Sequence, residues 1–437
     1  MARRLWLAVV RSTQKILDSV VGRPWWYRDG RRSMLTTSKR QGPSHSLHRA
    51  GRGPGAYGER SEVDDASAVA DSAVPDDLSR DVYLILGIPI DAIGMLAVLR
   101  RIEAAARRKI RFLISTPNLN FFVTSQSDES FRESLVLSDL CTVDGMPIVW
   151  IARLVGVPIK SRTAGSDIFD ALKADVSPAH SLKIFLFGGP EGAAEMAARK
   201  LNSQPGGVKC VGWSNPGFCS TEEMSRDEII DQINSSGADF LVASLGSQKG
   251  QSWLQRNHHR LRIPVRAHLG ATLNFQAGTV RRAPPIMRRF GLEWLWRIKE
   301  EPYLWKRYWS DGRVMLGLLF TRVLPFAFWT RWLQLRHKRR EDFIITHDHG
   351  SETITLSLSG AANAQQVDKA IPAFREAAAT RKQITLDFSN VCAIDARFLG
   401  LLLMLKKKLK ADGAVPNFIG VSPLLEKIFC LSGLDSK

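Results

Sequence analysis

The chain has 437 residues with a hydrophobic fraction of 44%, the balance of a globular protein long enough for two or three domains. Lys and Arg outnumber Asp and Glu by 61 to 43, a net charge of +18 that calls for an anionic partner: nucleic acid, a phosphorylated small molecule or a membrane face. Five widely spaced cysteines, none in CxxC, suggest neither a disulfide framework nor a zinc site, and a reducing compartment fits them best.

The segment Leu5–Val21 is amphipathic and basic and lacks the small-residue cleavage site of a signal peptide; it reads as an interfacial anchor or a misplaced start, within a first unit of residues 1–22. Residues 23–80 are rich in Arg, Ser, Gly, Asp and Ala with little periodic apolar content, which predicts a disordered linker. From Val82 short apolar runs alternate with helical stretches. VYLILGIPI precedes a helix over Ala92–Arg108; IRFLISTPN precedes a helix past Phe131. KIFLFGGP leads into a helix over 191–201 and VKCVGW into one over 221–235, before DFLVASLG and PVRAHLG. This alternation predicts a parallel sheet with helices on both faces, and ligands at the carboxyl ends of its strands.

Residues 281–340 hold 15 Lys/Arg against four Asp/Glu and six of the twelve Trp. Within them Val314–Leu335 is the most apolar window, but Arg322, Pro325 and Arg331 interrupt it. A charge at mid-span costs several kcal/mol, so an interfacial helix over 313–340 is the better reading than a spanning one. At Phe343 a second unit opens, and residues 341–437 form a small α/β layer expected to have its own core. In it TITLSLSG alternates strictly, with Ile354, Leu356 and Leu358 on one face. A helix over 364–379, QITLDFSN, a helix over 398–411, NFIGV and a last helix over 424–431 complete the layer.

The strand-end loops carry the candidate chemistry. STPNLN offers Thr116 and Asn118; TVDG places Asp144 before Gly145 as a helix opens; KSRTAGSD gives Arg162, Gly165, Ser166 and Asp167. FGGP gives Gly188 and Gly189, SLGSQKGQ gives Gly246, Lys249, Gly250 and Gln251, and GATLNF gives Asn274. Gly-rich strand-to-helix turns let backbone N–H groups meet a phosphate. Each signal is weak alone: a GGP turn is also a plain loop, Asp144 is also an N-cap candidate and Arg162 a surface candidate. Together they describe a phosphorylated-nucleotide site with one acidic group, no expected cofactor and no cluster suited to a tightly held metal.

Taken in order over 82–309, these motifs resemble the WecG/TagA/CpsF family of bacterial glycosyltransferases. The carrying residues are Thr116-x-Asn118, Asp144-Gly145, Arg162 with Gly165-Ser166-Asp167 and Gly188-Gly189-Pro190. Gly246, Trp253, Arg282-Ala283-Pro284, Gly291-Leu-Glu293-Trp294 and Glu301-Pro302 with Arg307-Tyr308 extend the match. LGSQKGQSWL and EWLWRIKEEPYLWKRYW are most similar to the exopolysaccharide branch, which extends a lipid-linked sugar in xanthan-type pathways. The resemblance implies a Rossmann-like catalytic domain over 81–312 with a C-terminal appendage. It implies inverting transfer from a nucleoside-diphosphate donor, usually UDP-linked, to a polyprenyl-diphosphate-linked saccharide at the inner face of the bacterial plasma membrane, whose anionic surface is a further partner.

In that reading Asp144 is the general base and Arg162 stabilises diphosphate charge. Thr116, Asn118, Gly188, Gly189, Gly246, Lys249, Gln251, Asn274 and Arg282 line the substrates, while Arg297 and Arg307 reach the lipid diphosphate. Two departures stand out: the family's PKQE box is Gln248-Lys249-Gly250-Gln251, and an arginine often found between Arg297 and Arg307 is Leu304. The tail resembles a STAS domain. LDFSNVCAIDARFLGLLLML matches its strand–turn–helix, with Ala396 where that family places a phosphorylatable Ser after Ile-Asp, so a protein-docking or nucleotide-sensing module or a structural cap is implied rather than a phospho-switch. The alternatives are a non-catalytic scaffold of a polysaccharide synthase complex and a nucleic-acid binder; the basic stretch has no nucleic-acid motif, so no nucleic acid is expected as partner.

Overall fold

The computed structural model describes residues 76–175, 181–337 and 343–434. The predicted basic segment 1–22 and most of the predicted linker 23–80 lie outside the described residues. The end of that linker is ordered: Asp76 caps a short 3-10 turn, Asp77–Ser79, Leu78 is fully buried and the Arg80 guanidinium is held by both Asp91 carboxylate oxygens.

The run Val82–Asp91, expected as one strand of the large sheet, folds back on itself as β1 (Val82–Ile85) and β2 (Ile88–Asp91), an antiparallel pair apart from that sheet. Leu86 and Gly87, at φ 50° and 84°, form the two-residue turn whose twist suits a hairpin. Both strands are buried on both faces, so no alternation betrays the fold-back; the glycine within the apolar run is its only sequence signal.

The main sheet is parallel and six-stranded, in the order β4-β3-β8-β7-β5-β6. Its strands are β3 (Phe112–Ser115), β4 (Leu140–Cys141), β5 (Leu182–Gly188), β6 (Val208–Ser214), β7 (Phe240–Ser244) and β8 (Val265–His268). The central strands β3, β7 and β8 are buried along their whole length, as helices on both faces require. The helix expected over 92–108 is Met95–Arg108, opening at Gly94, and the stretch 221–235 divides into a 3-10 turn and a helix, Asp227–Ser235.

The C-terminal unit is a four-stranded sheet, β12-β11-β10-β9, made of β9 (Ile344–His349), β10 (Thr353–Ala362), β11 (Gln383–Ile394) and β12 (Asn417–Ile419). Helices Val367–Ala379, Ala396–Ala411 and Pro423–Ser432 cover it. β10 alternates as predicted, with Ile354, Leu356 and Leu358 buried. β9 has no counterpart in the sequence reading, because its side chains are mostly polar and exposed.

The expectation of a separate core for this unit is wrong. Val82, Ile90, Phe131 and Ile148 of the first unit share one continuous apolar cluster with Ile354, Phe374, Phe398, Leu401 and Phe429 of the second. Helix Ala396–Ala411 is apolar around most of its circumference, so it needs cover on two sides. One side is its own sheet and the other is the β1–β2 hairpin. Polar contacts border the seam: Arg397 with Asp81 at 2.7 Å and Lys407 with Asp77 at 2.9 Å.

The stretch Leu304–Arg336 is one continuous 33-residue helical run, with a π-helical turn at Leu319–Val323 just before Pro325. Such a turn accommodates a proline that would otherwise break the hydrogen-bond ladder. Met315, Val323, Phe326 and Leu333 point into the shared core, whereas Trp309, Leu316, Phe320, Phe328 and Leu335 are exposed.

Candidate active site

Three loops at the carboxyl ends of β3 and β4 are sewn together by backbone bonds. The Asp144 N–H donates to the Pro117 carbonyl, at 3.0 Å, and the Thr163 N–H to the Val143 carbonyl, at 2.8 Å. The Thr142 hydroxyl adds a bond to the Thr163 carbonyl at 2.8 Å. This brings Thr116, Asp144 and Arg162 to one place. Gly165 is needed there, because a Cβ would stand 2.7 Å from Leu269 Cδ2 and 3.2 Å from the Thr116 hydroxyl oxygen.

Asp144 is not an N-cap. The capping position of helix Met146–Leu154 is Gly145, at φ 110°, and no side chain caps it. The Asp144 carboxylate has no hydrogen-bond or ion-pair partner among the described residues and is half-buried. Burial raises its pKa to about 7, Glu293 and Asp167 push the same way, and Arg162 and Arg297 oppose them. An unengaged carboxyl that titrates near neutrality, beside a guanidinium, has the properties of a general base.

Arg162 is mostly buried, with Nη1 2.6 Å from Glu293 and Nη2 3.3 Å from Asp167. Burial pulls its pKa down, but Asp167, Glu293 and Asp144 outweigh that and hold it raised and charged. Asn118 caps helix Leu119–Thr124 through its side-chain oxygen, 3.3 Å from the Phe121 nitrogen, so its carboxamide carries a structural duty whatever else it does.

The appendage closes over these loops. Arg282 pairs with Asp167 and Asp170 and donates to the Ser166 hydroxyl at 3.0 Å; Arg288 lies 3.7 Å from Asp167. Gly291, at φ 71°, sits on Met146, where a Cβ would stand 2.4 Å from the Met146 side chain. Arg297 is half-buried and bonded to Glu301 at 2.5 Å, with Phe275 beneath its guanidinium. Arg307 does not turn inward as expected: it is exposed and lies against the Tyr308 ring, because its helix gives its buried positions to Leu304, Asp311 and Met315. Leu304, in place of the family's arginine, is a core residue only 5% exposed.

The ends of β5 and β7 supply the glycine turns. Gly188 and Gly189 have φ of 90° and 86°, and a Cβ would stand 2.9 Å from the Ser244 carbonyl oxygen at the first and 2.4 Å from Leu273 at the second. Both glycines are therefore required by the backbone, and a phosphate-facing duty is additional. Gly246 is exposed with open space around it, at the start of helix Ser247–Arg256, whose first-turn N–H groups have no side-chain cap. A buried side-chain oxygen of Asn274 has no partner among the described residues.

Two expected substrate contacts are corrected. Gln251 is fully buried and donates to the Ser115 hydroxyl at 2.8 Å and to the Ser134 carbonyl at 3.2 Å, so it braces the end of β3 from behind. Lys249 donates its ammonium to the Cys219 carbonyl and ties down a neighbouring loop. Gly250 is explained by His268, whose imidazole Cδ2 would stand 2.1 Å from a Cβ there and whose Nε2 donates to the Leu245 carbonyl at 2.5 Å. Sequence reading missed Glu293 as a site residue, although it stands in the quoted Gly-Leu-Glu-Trp motif; nothing local shows that it returns to Arg162.

The reading that no metal-ligand cluster exists overlooks one HxH pair: His347 and His349, alternate residues of β9, come together with Glu376. All three are exposed surface groups of the C-terminal unit. Asp395 caps helix Ala396–Ala411 by accepting from the Arg397 and Phe398 nitrogens, both at 3.0 Å, and Ala396 is buried.

A parallel α/β sheet with a carboxylate, an arginine and glycine turns at its strand ends is an architecture that group-transfer enzymes use. The sequence pattern of the WecG/TagA/CpsF glycosyl transferase family matches residues 83–326, more than half of the chain, and the protein belongs to that family. A STAS-domain pattern, of the Mlab type, matches residues 345–436. Among curated relatives, the N-acetylglucosaminyldiphosphoundecaprenol N-acetyl-beta-D-mannosaminyltransferase of Bacillus subtilis is 28% identical over 212 residues, 48% of this chain and 80% of its own. The Bacillus spizizenii enzyme of that name is 25% identical over 206 residues, 47% of this chain and 78% of its own. The protein is thus a glycosyltransferase with a C-terminal STAS domain.

Proposed function

We propose that the enzyme is an inverting glycosyltransferase that moves a sugar from a nucleoside-diphosphate donor, a UDP-sugar, to a hydroxyl of a polyprenyl-diphosphate-linked saccharide in exopolysaccharide synthesis. The observation that carries this reading is the unpartnered Asp144 carboxylate, with its pKa near 7, beside Arg162. Asp144 takes the proton of the acceptor hydroxyl as its oxygen bonds to the anomeric carbon. The bond from that carbon to the donor diphosphate breaks on the opposite face, and its electron pair leaves on the diphosphate. Arg162 offers a fixed guanidinium to that charge, and the first-turn N–H groups of helix Ser247–Arg256, after Gly246, offer further donors; the Gly189 N–H is committed to the Ser244 carbonyl at 2.8 Å. The lipid-linked acceptor is supported by the activity for which the Bacillus relatives are named.

Membrane attachment is part of the proposal. The exposed Trp309, Phe320, Phe328 and Leu335 on one side of Leu304–Arg336, with Arg313, Arg331 and Arg336 beside them, suit an anionic leaflet at its inner face. A protein partner of the STAS unit would meet its free β9 edge, because helix Ala396–Ala411 is covered by the hairpin. Incubation with a panel of UDP- and GDP-sugars and a polyprenyl-diphosphate-saccharide acceptor tests the activity. Labelled sugar in the lipid fraction supports it; hydrolysis or inertness toward every pair contradicts it.

A further inference from the structure

Arg162 carries two carboxylates, Glu293 at 2.6 Å and Asp167 at 3.3 Å, and they are not equivalent. Asp167 belongs to helix Gly165–Ala174 beside Arg162 in sequence, and is shared with Arg282 and Arg288. Glu293 opens helix Glu293–Glu300 of the appendage, is 14% exposed, and has Arg162 as its only ion-pair partner among the described residues. An oxygen anion at that distance on a guanidinium fork occupies the position that a phosphate oxygen takes.

We propose that Glu293 is a positioning residue that holds the anion seat of Arg162 while the cleft is empty and yields it to the diphosphate of a substrate. The inference rests on the reading of Arg162 and Asp144 given above and deepens it. Occupancy of the cleft is then linked to the appendage: diphosphate on Arg162 releases the start of helix Glu293–Glu300. By reciprocity, any change that removes Glu293 from the seat strengthens diphosphate binding. Glu293 also acts on Asp144 through space. The charged groups that act on that carboxyl are Arg162, Glu293, Asp167 and Arg297, with Arg282 and Arg288 behind Asp167. Removing the Glu293 charge lowers the pH at which Asp144 becomes a base.

The test uses the full chain and inorganic diphosphate as probe. Titration calorimetry of Glu293→Gln should give about tenfold tighter diphosphate binding than wild type, within the usual range of such couplings. The acid limb of its kcat/KM profile should move to lower pH, and Glu293→Asp should restore both properties. Arg162→Gln should abolish the gain. In the wild-type protein, saturating diphosphate should speed tryptic cleavage after Arg297 and Lys299, a readout that needs no variant to fold. Unchanged or weaker diphosphate binding by Glu293→Gln overturns the proposal, and so does cleavage indifferent to diphosphate. Full activity in Asp144→Asn, without an acid limb, is a different outcome: it refutes the assignment of the base.

Discussion

Gly400 lies directly on the backbone of Val82: a Cβ at Gly400 would stand 2.1 Å from the Val82 carbonyl oxygen. The STAS unit therefore does not hang on the catalytic domain by a tether; its central helix is seated on a catalytic-domain hairpin at backbone distance. Gly400→Val should force the two apart at a cost of about 3 kcal/mol, the upper range for overpacking a close contact. The check is denaturant unfolding, where the variant should show two transitions in place of one. A single, unshifted transition contradicts the shared core.

For the same reason, removal of residues 343–437 should not leave a soluble enzyme. Truncation would bare Val82, Leu84 and Ile90, all at most 1% exposed, together with Phe326 and Leu333. The truncated protein is expected in the insoluble fraction, and a soluble, active truncation would show that the catalytic domain closes its core alone.

Gly250 and His268 should behave as a coupled pair. Gly250→Ala alone drives a methyl into the imidazole and should cost about 1–3 kcal/mol, while the same change in a His268→Ala background should cost little. A double-mutant cycle with no coupling would mean that His268 moves aside freely.

The pKa of Asp144 makes a stability prediction of definite sign. A carboxyl whose folded-state pKa is raised contributes stability that is present below its ordinary value near 3.8 and is lost as pH rises through about 7. Asp144→Asn should therefore stabilise the fold at pH 8, by at most about 4 kcal/mol for a shift of about three units and less after solvent screening of a half-buried group, seen as a higher Tm, and leave it nearly unchanged at pH 4. A lower Tm at pH 8 would show that the carboxylate is stabilised by a partner.

The exposed apolar side of Leu304–Arg336 should carry binding to vesicles. Substituting Trp309, Phe320 and Phe328 by Glu together should abolish co-sedimentation with anionic vesicles at moderate salt, and a fold check by circular dichroism should be unchanged. Retained co-sedimentation would place the membrane contact elsewhere.

Much of this was legible in the sequence. The alternation in Thr353–Ala362, the apolar strands followed by Gly-rich turns, and the Asp144-Gly145 step each report a local requirement that one segment meets alone. What stayed hidden is non-local. Val82–Asp91 folds back because Leu86 and Gly87 adopt positive φ, and apolar runs buried on both faces carry no period to reveal it. Gln251 reads like a ligand residue until its bond to Ser115 is seen, and Glu293 like a helix start until it reaches Arg162. Helix Ala396–Ala411 announces an all-round need for cover without naming the hairpin that supplies it.

The most direct test of the account is single-turnover transfer by Asp144→Asn, measured with donor and lipid-linked acceptor both saturating. The wild-type rate should rise with pH through about 7, following the Asp144 carboxyl. The variant should bind both substrates and transfer at least about a hundredfold more slowly, the usual contribution of a general base, with no such pH dependence. Transfer at the wild-type rate, or an unchanged acid limb in the variant, would contradict the central role of Asp144.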